Sequence, residues 1–197
     1  VVQLDKGHYH SCARLSGGSL KCWGYNWFGA LGDGTSSDRK TPVVVSGISN
    51  ALYLGTGTDH SCSVLTDGTV KCWGYNNNGQ LGDGTTTNRN SPVSVSGITG
   101  ATQVDGGNYS SCALLSNGTV KCWGRKGAYG YLGDGNLGIK TSPVSVSGLS
   151  SVSEGEAYNH TCVVAGGAVK CWGDNAYGKL GDGSTTNRST PVSVSGI

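Results

Sequence analysis

Apolar residues along this chain come in runs of three to five, rich in β-branched and small side chains, and glycine or small polar residues cut each run short. The first such runs are Val1–Leu4, Cys12–Leu15, Leu20–Trp23 and Val43–Val45. Runs of this length and composition predict strands. No window sustains the i, i+3, i+4, i+7 apolar stripe of a helix, and glycine interrupts every candidate. The pattern therefore predicts an all-β protein.

The same pattern then repeats. Leu-Gly-Asp-Gly begins at Leu31, Leu81, Leu132 and Leu180, and a proline opens a valine-rich strand at Pro42, Pro92, Pro143 and Pro191. Cys-Trp-Gly stands at Cys22, Cys72, Cys122 and Cys171, each preceded by a partner at Cys12, Cys62, Cys112 and Cys162. The period divides the single repeat domain into units at approximately 1–48, 49–98, 99–149 and 150–197. Four short strands per unit match one β-propeller blade, a four-stranded antiparallel sheet that needs neighbours on both faces. The expected fold is thus a β-propeller of four blades, either a closed four-blade ring or part of a larger ring or assembly. In a closed ring, Val1–Leu4 would lie beside Val192–Val194.

Composition narrows the function. Lysine plus arginine number 14 against 12 aspartate plus glutamate, too even a balance to steer the chain onto nucleic acid or an anionic membrane. No apolar stretch approaches the roughly 20 residues of a membrane-spanning helix, so no membrane insertion is expected. The chain lacks methionine and starts at Val1 without a leader pattern, which reads as a processed product or an excised segment.

The cysteines fall into register. Across Thr66-Asp67-Gly68, pairing Leu65 with Thr69 sets Cys62 opposite Cys72. The fourth unit is one residue shorter here, and its Gly166-Gly167 suits a two-residue turn that pairs Ala165 with Ala168 and again sets Cys162 opposite Cys171. Both loop types place the cysteines at a close, non-hydrogen-bonded site. The expected disulfides are Cys12–Cys22, Cys62–Cys72, Cys112–Cys122 and Cys162–Cys171, which imply an extracellular, cell-surface or periplasmic location. The rival reading is a metal site, because His10, His60 and His160 each stand two residues before a cysteine. Ser110 breaks that pattern in the third unit, and a flat cross-strand pair suits a disulfide better than a tetrahedral centre, so no metal or cofactor is expected.

The segments from Asp59-His60-Ser61-Cys62, through Thr66–Asn76, to Gly79–Thr85 resemble the regulator of chromosome condensation repeat, and more narrowly its bacterial, cysteine-containing, exported branch. The resemblance extends over all four units. It implies a β-propeller, usually of seven blades, working as a protein-binding scaffold with ligands on one face. The family's founding activity, nucleotide exchange on a small nuclear GTPase, does not carry over to short loops and extracytosolic cysteines. Inhibition of β-lactamase by a secreted propeller is nearer in compartment but rests on fold alone.

Catalysis needs a nucleophile, a base and an orienting group converging from different elements. Here the same polar residues recur in every unit instead, and no enzyme is expected. Asp33, Asp83, Asp134 and Asp182 sit between glycines as Asx turns. The repeated histidines read as framework bonding a neighbouring loop's backbone, His8 as exposed, and Trp23, Trp73, Trp123 and Trp172 as packing between blades. Four Asn-x-Ser/Thr sequons, at Asn108, Asn117, Asn159 and Asn187, matter only in a eukaryotic secretory host.

Binding is expected where the units differ, in the loops after Cys-Trp-Gly. The candidates are Tyr25, Trp27, Phe28, Tyr75, Arg125, Lys126, Tyr129, Tyr131 and Tyr177. Trp27 and Phe28 stand where another unit has two asparagines, so framework packing does not require them. The leading expectation is a non-enzymatic extracellular binding or adhesion module for a protein, or for a glycan. The alternatives are a self-assembling unit of a filament or surface layer, partnered by further copies of itself, and a secreted inhibitor.

Overall fold

The computed structural model describes residues 1–125, 130–136 and 138–197. They form four antiparallel sheets of four strands, each a simple meander. The first is β1 (Gln3–Lys6), β2 (His10–Arg14), β3 (Leu20–Gly24) and β4 (Arg39–Val44). The second is β5 (Ala51–Thr56), β6 (His60–Leu65), β7 (Val70–Gly74) and β8 (Arg89–Ser94). The third is β9 (Ala101–Gly106), β10 (Ser110–Leu115), β11 (Val120–Gly124) and β12 (Lys140–Ser145). The fourth is β13 (Val152–Ala157), β14 (His160–Ala165), β15 (Ala168–Gly173) and β16 (Arg188–Ser193).

The opening strands β1, β5, β9 and β13 touch in succession and line a common axis, while the last strand of each sheet is its outer edge. That edge explains how Pro42, Pro92, Pro143 and Pro191 lie inside strands, because an outer strand can lose an N–H without breaking a ladder. Each disulfide joins directly opposed residues: Cys12–Cys22, Cys62–Cys72, Cys112–Cys122 and Cys162–Cys171, with Cα atoms 4.0–4.1 Å apart. In the fourth blade Ala165 pairs with Ala168, and the missing residue is absorbed in the turn. One register departs from the repeat spacing. Glu156 faces Cys162, whereas Asp5, Gly55 and Asp105 face the corresponding cysteines, so β13 is slipped by one residue.

The core lies between blades, in three apolar layers for four sheets. A polar lock crosses the first two boundaries. Trp73 Nε1 donates to the Ala30 carbonyl at 2.8 Å, and Ser61 Oγ donates to the same oxygen at 2.9 Å. With its only proton committed, Ser61 accepts from His10 Nε2–H at 2.8 Å. His60, Ser111, Trp123 and the Gln80 carbonyl repeat the arrangement. The third boundary has Ser110 and Thr161 in place of histidine and serine but keeps Trp172 Nε1 to Tyr131 O at 3.0 Å. The histidines are thus framework, but their partner is a serine hydroxyl of the next blade, where the sequence suggested loop backbone. The indoles also account for the first glycine of Leu-Gly-Asp-Gly: a Cβ on Gly32, at φ +67°, would lie 2.8 Å from Trp73 Nε1. Burial lowers the pKa of His10 to about 4 and of His60 to about 3.

Closure at four blades is not seen. Leu4 is 65% exposed, whereas its counterparts Leu54 and Val104 are 1% exposed beneath the preceding blade. Val192 and Ser193 pair within their own sheet instead of meeting the first strand.

Candidate functional site

The meander sends the loops after the first and third strands of every blade to one face, called here the upper face. In the first, second and fourth blades the long loop between the third and fourth strands is built on a buried asparagine. Asn26 Nδ2 donates to Asp33 Oδ1 and to the Thr35 and Ser37 carbonyls, and its Oδ1 accepts from Leu31 N–H. Asp33 accepts from Thr35 N–H and Oγ–H, as an Asx turn requires, and its second oxygen takes the Arg39 guanidinium at 2.8 Å. Asn76 with Asp83 and Arg89, and Asn175 with Asp182 and Arg188, repeat the hub. Partial burial raises the pKa of Asp33, but the Thr35 and Arg39 bonds outweigh it and hold the carboxyl below its usual range. The aspartates therefore fix loop shape. The hub asparagines lay in a segment that reads as variable, and their signal was recurrence seven residues before Asp33, Asp83 and Asp182.

Aromatic rings sit on this frame. His8 stacks on Tyr9 at 4.1 Å, Tyr9 meets Tyr25 at 5.8 Å, Tyr25 meets Phe28 at 6.5 Å, and Phe28 meets Tyr75 of the next blade at 4.7 Å. Five rings thus form one row across the first two blades, with Trp27 beside it, 69% exposed. Tyr25, Phe28 and Tyr75 are half-buried. Phe28 bridges two blades, so it is both packing and surface. Tyr9 and His8 were not among the sequence candidates, which all come from the loops after Cys-Trp-Gly, whereas these two lie in the short loop after the first strand.

The remaining candidates are dispersed. The Arg125 guanidinium lies 5.3 Å from the Tyr109 ring centroid, the third blade's counterpart of Tyr9. Tyr177 is 97% exposed on the fourth blade, and Tyr131 is half-buried with its carbonyl under Trp172. Lys126 and Tyr129 lie outside the described residues.

The axis carries carboxylates. Asp5 Oδ2 accepts from Thr56 N–H at 2.8 Å and Asp105 Oδ2 from Ala157 N–H at 2.6 Å, tying each odd blade to its successor. Gln3 adds a two-point contact with the Leu54 backbone. Burial of its carboxylate, opposed by the Ala157 N–H bond and reinforced by Asp5 and Glu156, pushes Asp105 up to about 7. Among the described residues, no three of His, Cys, Asp or Glu are placed to hold a metal ion.

Meandering four-stranded blades around an axis, locked by paired side chains and presenting aromatic loops on one face, define a β-propeller that offers surfaces. Models of the Regulator of chromosome condensation (RCC1) repeat match residues 18–64, 67–114 and 166–197, and a second model of that repeat matches 1–30 and 101–130. The chain belongs to the RCC1 repeat family. Curated proteins yield no sequence match. Among solved structures, human WBSCR16 is 27% identical with a TM-score of 0.89, over all of this chain and 53% of that one. Yeast RCC1 (Prp20), solved bound to Kap60, is 19% identical with a TM-score of 0.87, over all of this chain and 49% of that one. The chain spans about half the length of these relatives.

Proposed function

We propose that this chain is a non-enzymatic protein-binding scaffold working outside the reducing cytosol, with the aromatic row of the first two blades as its contact surface. The observation that carries this reading is the chain of rings from His8 to Tyr75, with Trp27 standing exposed beside it. Aromatic residues on a rigid frame lose little side-chain entropy on binding and are enriched among residues that dominate interface energetics. The disulfides support the compartment, since cytosolic thiols are kept reduced. RCC1-type propellers bind proteins, as the yeast complex with Kap60 illustrates for that relative.

The test places a photo-crosslinker at Tyr177 or Asn77 on the upper face, or at Ser16 on the opposite face, in the protein exported by its own host. A protein adduct formed only from the upper face, and lost on Trp27→Ala plus Tyr9→Ala, supports the proposal. Adducts independent of face or of these substitutions sink it, as does binding of the same row to glycans alone. A captured hydrolase whose activity the chain blocks would specify the scaffold as an inhibitor.

A further inference from the structure

The inner strands β1, β5, β9 and β13 wall a cleft along the axis, about 370 Å³ in volume. At one end Thr56, Gly106 and Tyr158 also wall a second hollow of about 300 Å³, whose lining includes His8, the end of the aromatic row. A channel lined by inner strands belongs to any propeller, whatever its number of blades. Two features of this cleft lack a partner. Its carboxylates Asp5, Asp105 and Glu156 meet no cation within ion-pair distance among the described residues. Lys6, which also lines the cleft, is exposed and pairs with none of them. Tyr53 stands in the same wall, and its phenol pKa is raised by burial and then by Asp105, Asp5 and Glu156, so all three charges act on one point of the cleft. The second feature is Thr56, which is 5% exposed. Its hydroxyl lies beside Asp5 but makes no hydrogen bond.

Carboxylates without a counter-charge repel one another, and a buried hydroxyl without a partner is costly. One kind of guest relieves both. A lysine or arginine side chain brings a positive charge for the carboxylates and N–H donors for Thr56 Oγ1, and its apolar stem suits the rings of Tyr53 and Tyr158. A metal ion fits less well, because among the described residues no three of His, Cys, Asp or Glu surround a single point. A long, flexible cation tolerates carboxylates spaced along a cleft. We infer that the axial cleft is a binding site for a basic side chain, lysine or arginine, presented by the protein that meets the upper face. The inference rests on the proposed scaffold role only in taking the partner to be a protein on that face.

The test uses end-blocked Gly-Lys-Gly, Gly-Arg-Gly and Gly-norleucine-Gly peptides, titrated into the full chain at physiological salt and pH 8, where Asp105 is ionised. Backbone amide signals are followed by NMR. Those of Thr56, Gly106 and Ala157 should shift saturably with the lysine or arginine peptide and stay still with norleucine. Asp105→Asn keeps an acceptor for Ala157 N–H, and Glu156 is exposed, so Asp105→Asn and Glu156→Gln should both fold. Each should weaken the cationic peptide about fivefold or more. Thr56→Val should also weaken it several-fold, while the urea midpoint holds or rises because an unpaired hydroxyl has gone. Trp27→Ala plus Tyr9→Ala should leave peptide binding unchanged, so the aromatic row and the cleft stand or fall separately. Shifts that norleucine or magnesium chloride of equal ionic strength reproduces overturn the inference. So do affinities indifferent to Asp105, Glu156 and Thr56, or a cleft that answers free spermidine and neither peptide.

Discussion

Acid should weaken this fold, and the buried histidines set the size of the effect. His10 and His60 are held neutral, with pKa values lowered to about 4 and about 3, whereas the unfolded chain protonates both near pH 6.5. Their contribution is complete above pH 6.5 and is lost as pH falls toward the folded values, because only the unfolded state gains the protons. Each histidine then removes about 1.4 kcal/mol per pH unit. Asp105 acts in the opposite sense. Its folded pKa, raised to about 7 from an ordinary 3.8, means that the native state binds a proton the unfolded state does not, which returns about 1.4 kcal/mol per unit over the same range. The net loss is about 1.4 kcal/mol per unit, or about 3 kcal/mol between pH 6.5 and 4, a large share of the stability of an ordinary domain. Urea titrations followed by circular dichroism, with disulfides intact, should show the midpoint falling across this window. His10→Gln plus His60→Gln should abolish the fall, and Asp105→Asn should roughly double its slope. A midpoint that holds or rises from pH 6.5 to 4 in the wild type would refute the reasoning.

Three further outcomes are expected. Cys62→Ala plus Cys72→Ala should lower stability by about 2–3 kcal/mol, the chain-entropy value for a loop this short, and non-reducing peptide mapping should recover only the four within-blade pairs. Asp83→Ala should cost about 2 kcal/mol because it strips partners from Asn76 and Thr85 inside the loop hub, whereas Asp67→Ala in an exposed hairpin turn should shift the urea midpoint far less. Trp27→Ala should change the melting temperature little, with stability within about 0.5 kcal/mol of wild type, whereas Phe28→Ala should cost more than 1 kcal/mol because its ring spans two blades.

The blades were legible in the sequence because each is specified locally: hairpin turn, opposed cysteines and edge proline all lie within one repeat. The one-residue slip of β13 was not, since the Gly155-Glu156-Ala157 spacing matches the other units and only pairing with β14 reveals the shift. Boundary chemistry was half legible. Recurrent histidine and tryptophan marked framework, but the serine that joins them comes from the following repeat, about 50 positions on, and local pattern does not name it. The aromatic row illustrates the same limit. Trp27 and Phe28 were visible as departures from the repeat, whereas Tyr9 joins them only because the meander brings two loops to one face.

The disulfides all lie inside sheets, and none crosses from one sheet to the next. Covalent cross-linking therefore stiffens the leaves and leaves the hinges between them to noncovalent contacts and a single connecting strand of backbone. Under heat or mechanical tension the molecule should part along its seams before any hairpin opens, its leaves swinging apart intact on the backbone that joins them. Reducing agents should reverse that order, making the leaves the weaker element. Redox conditions in the surroundings would then decide which way the same chain comes apart.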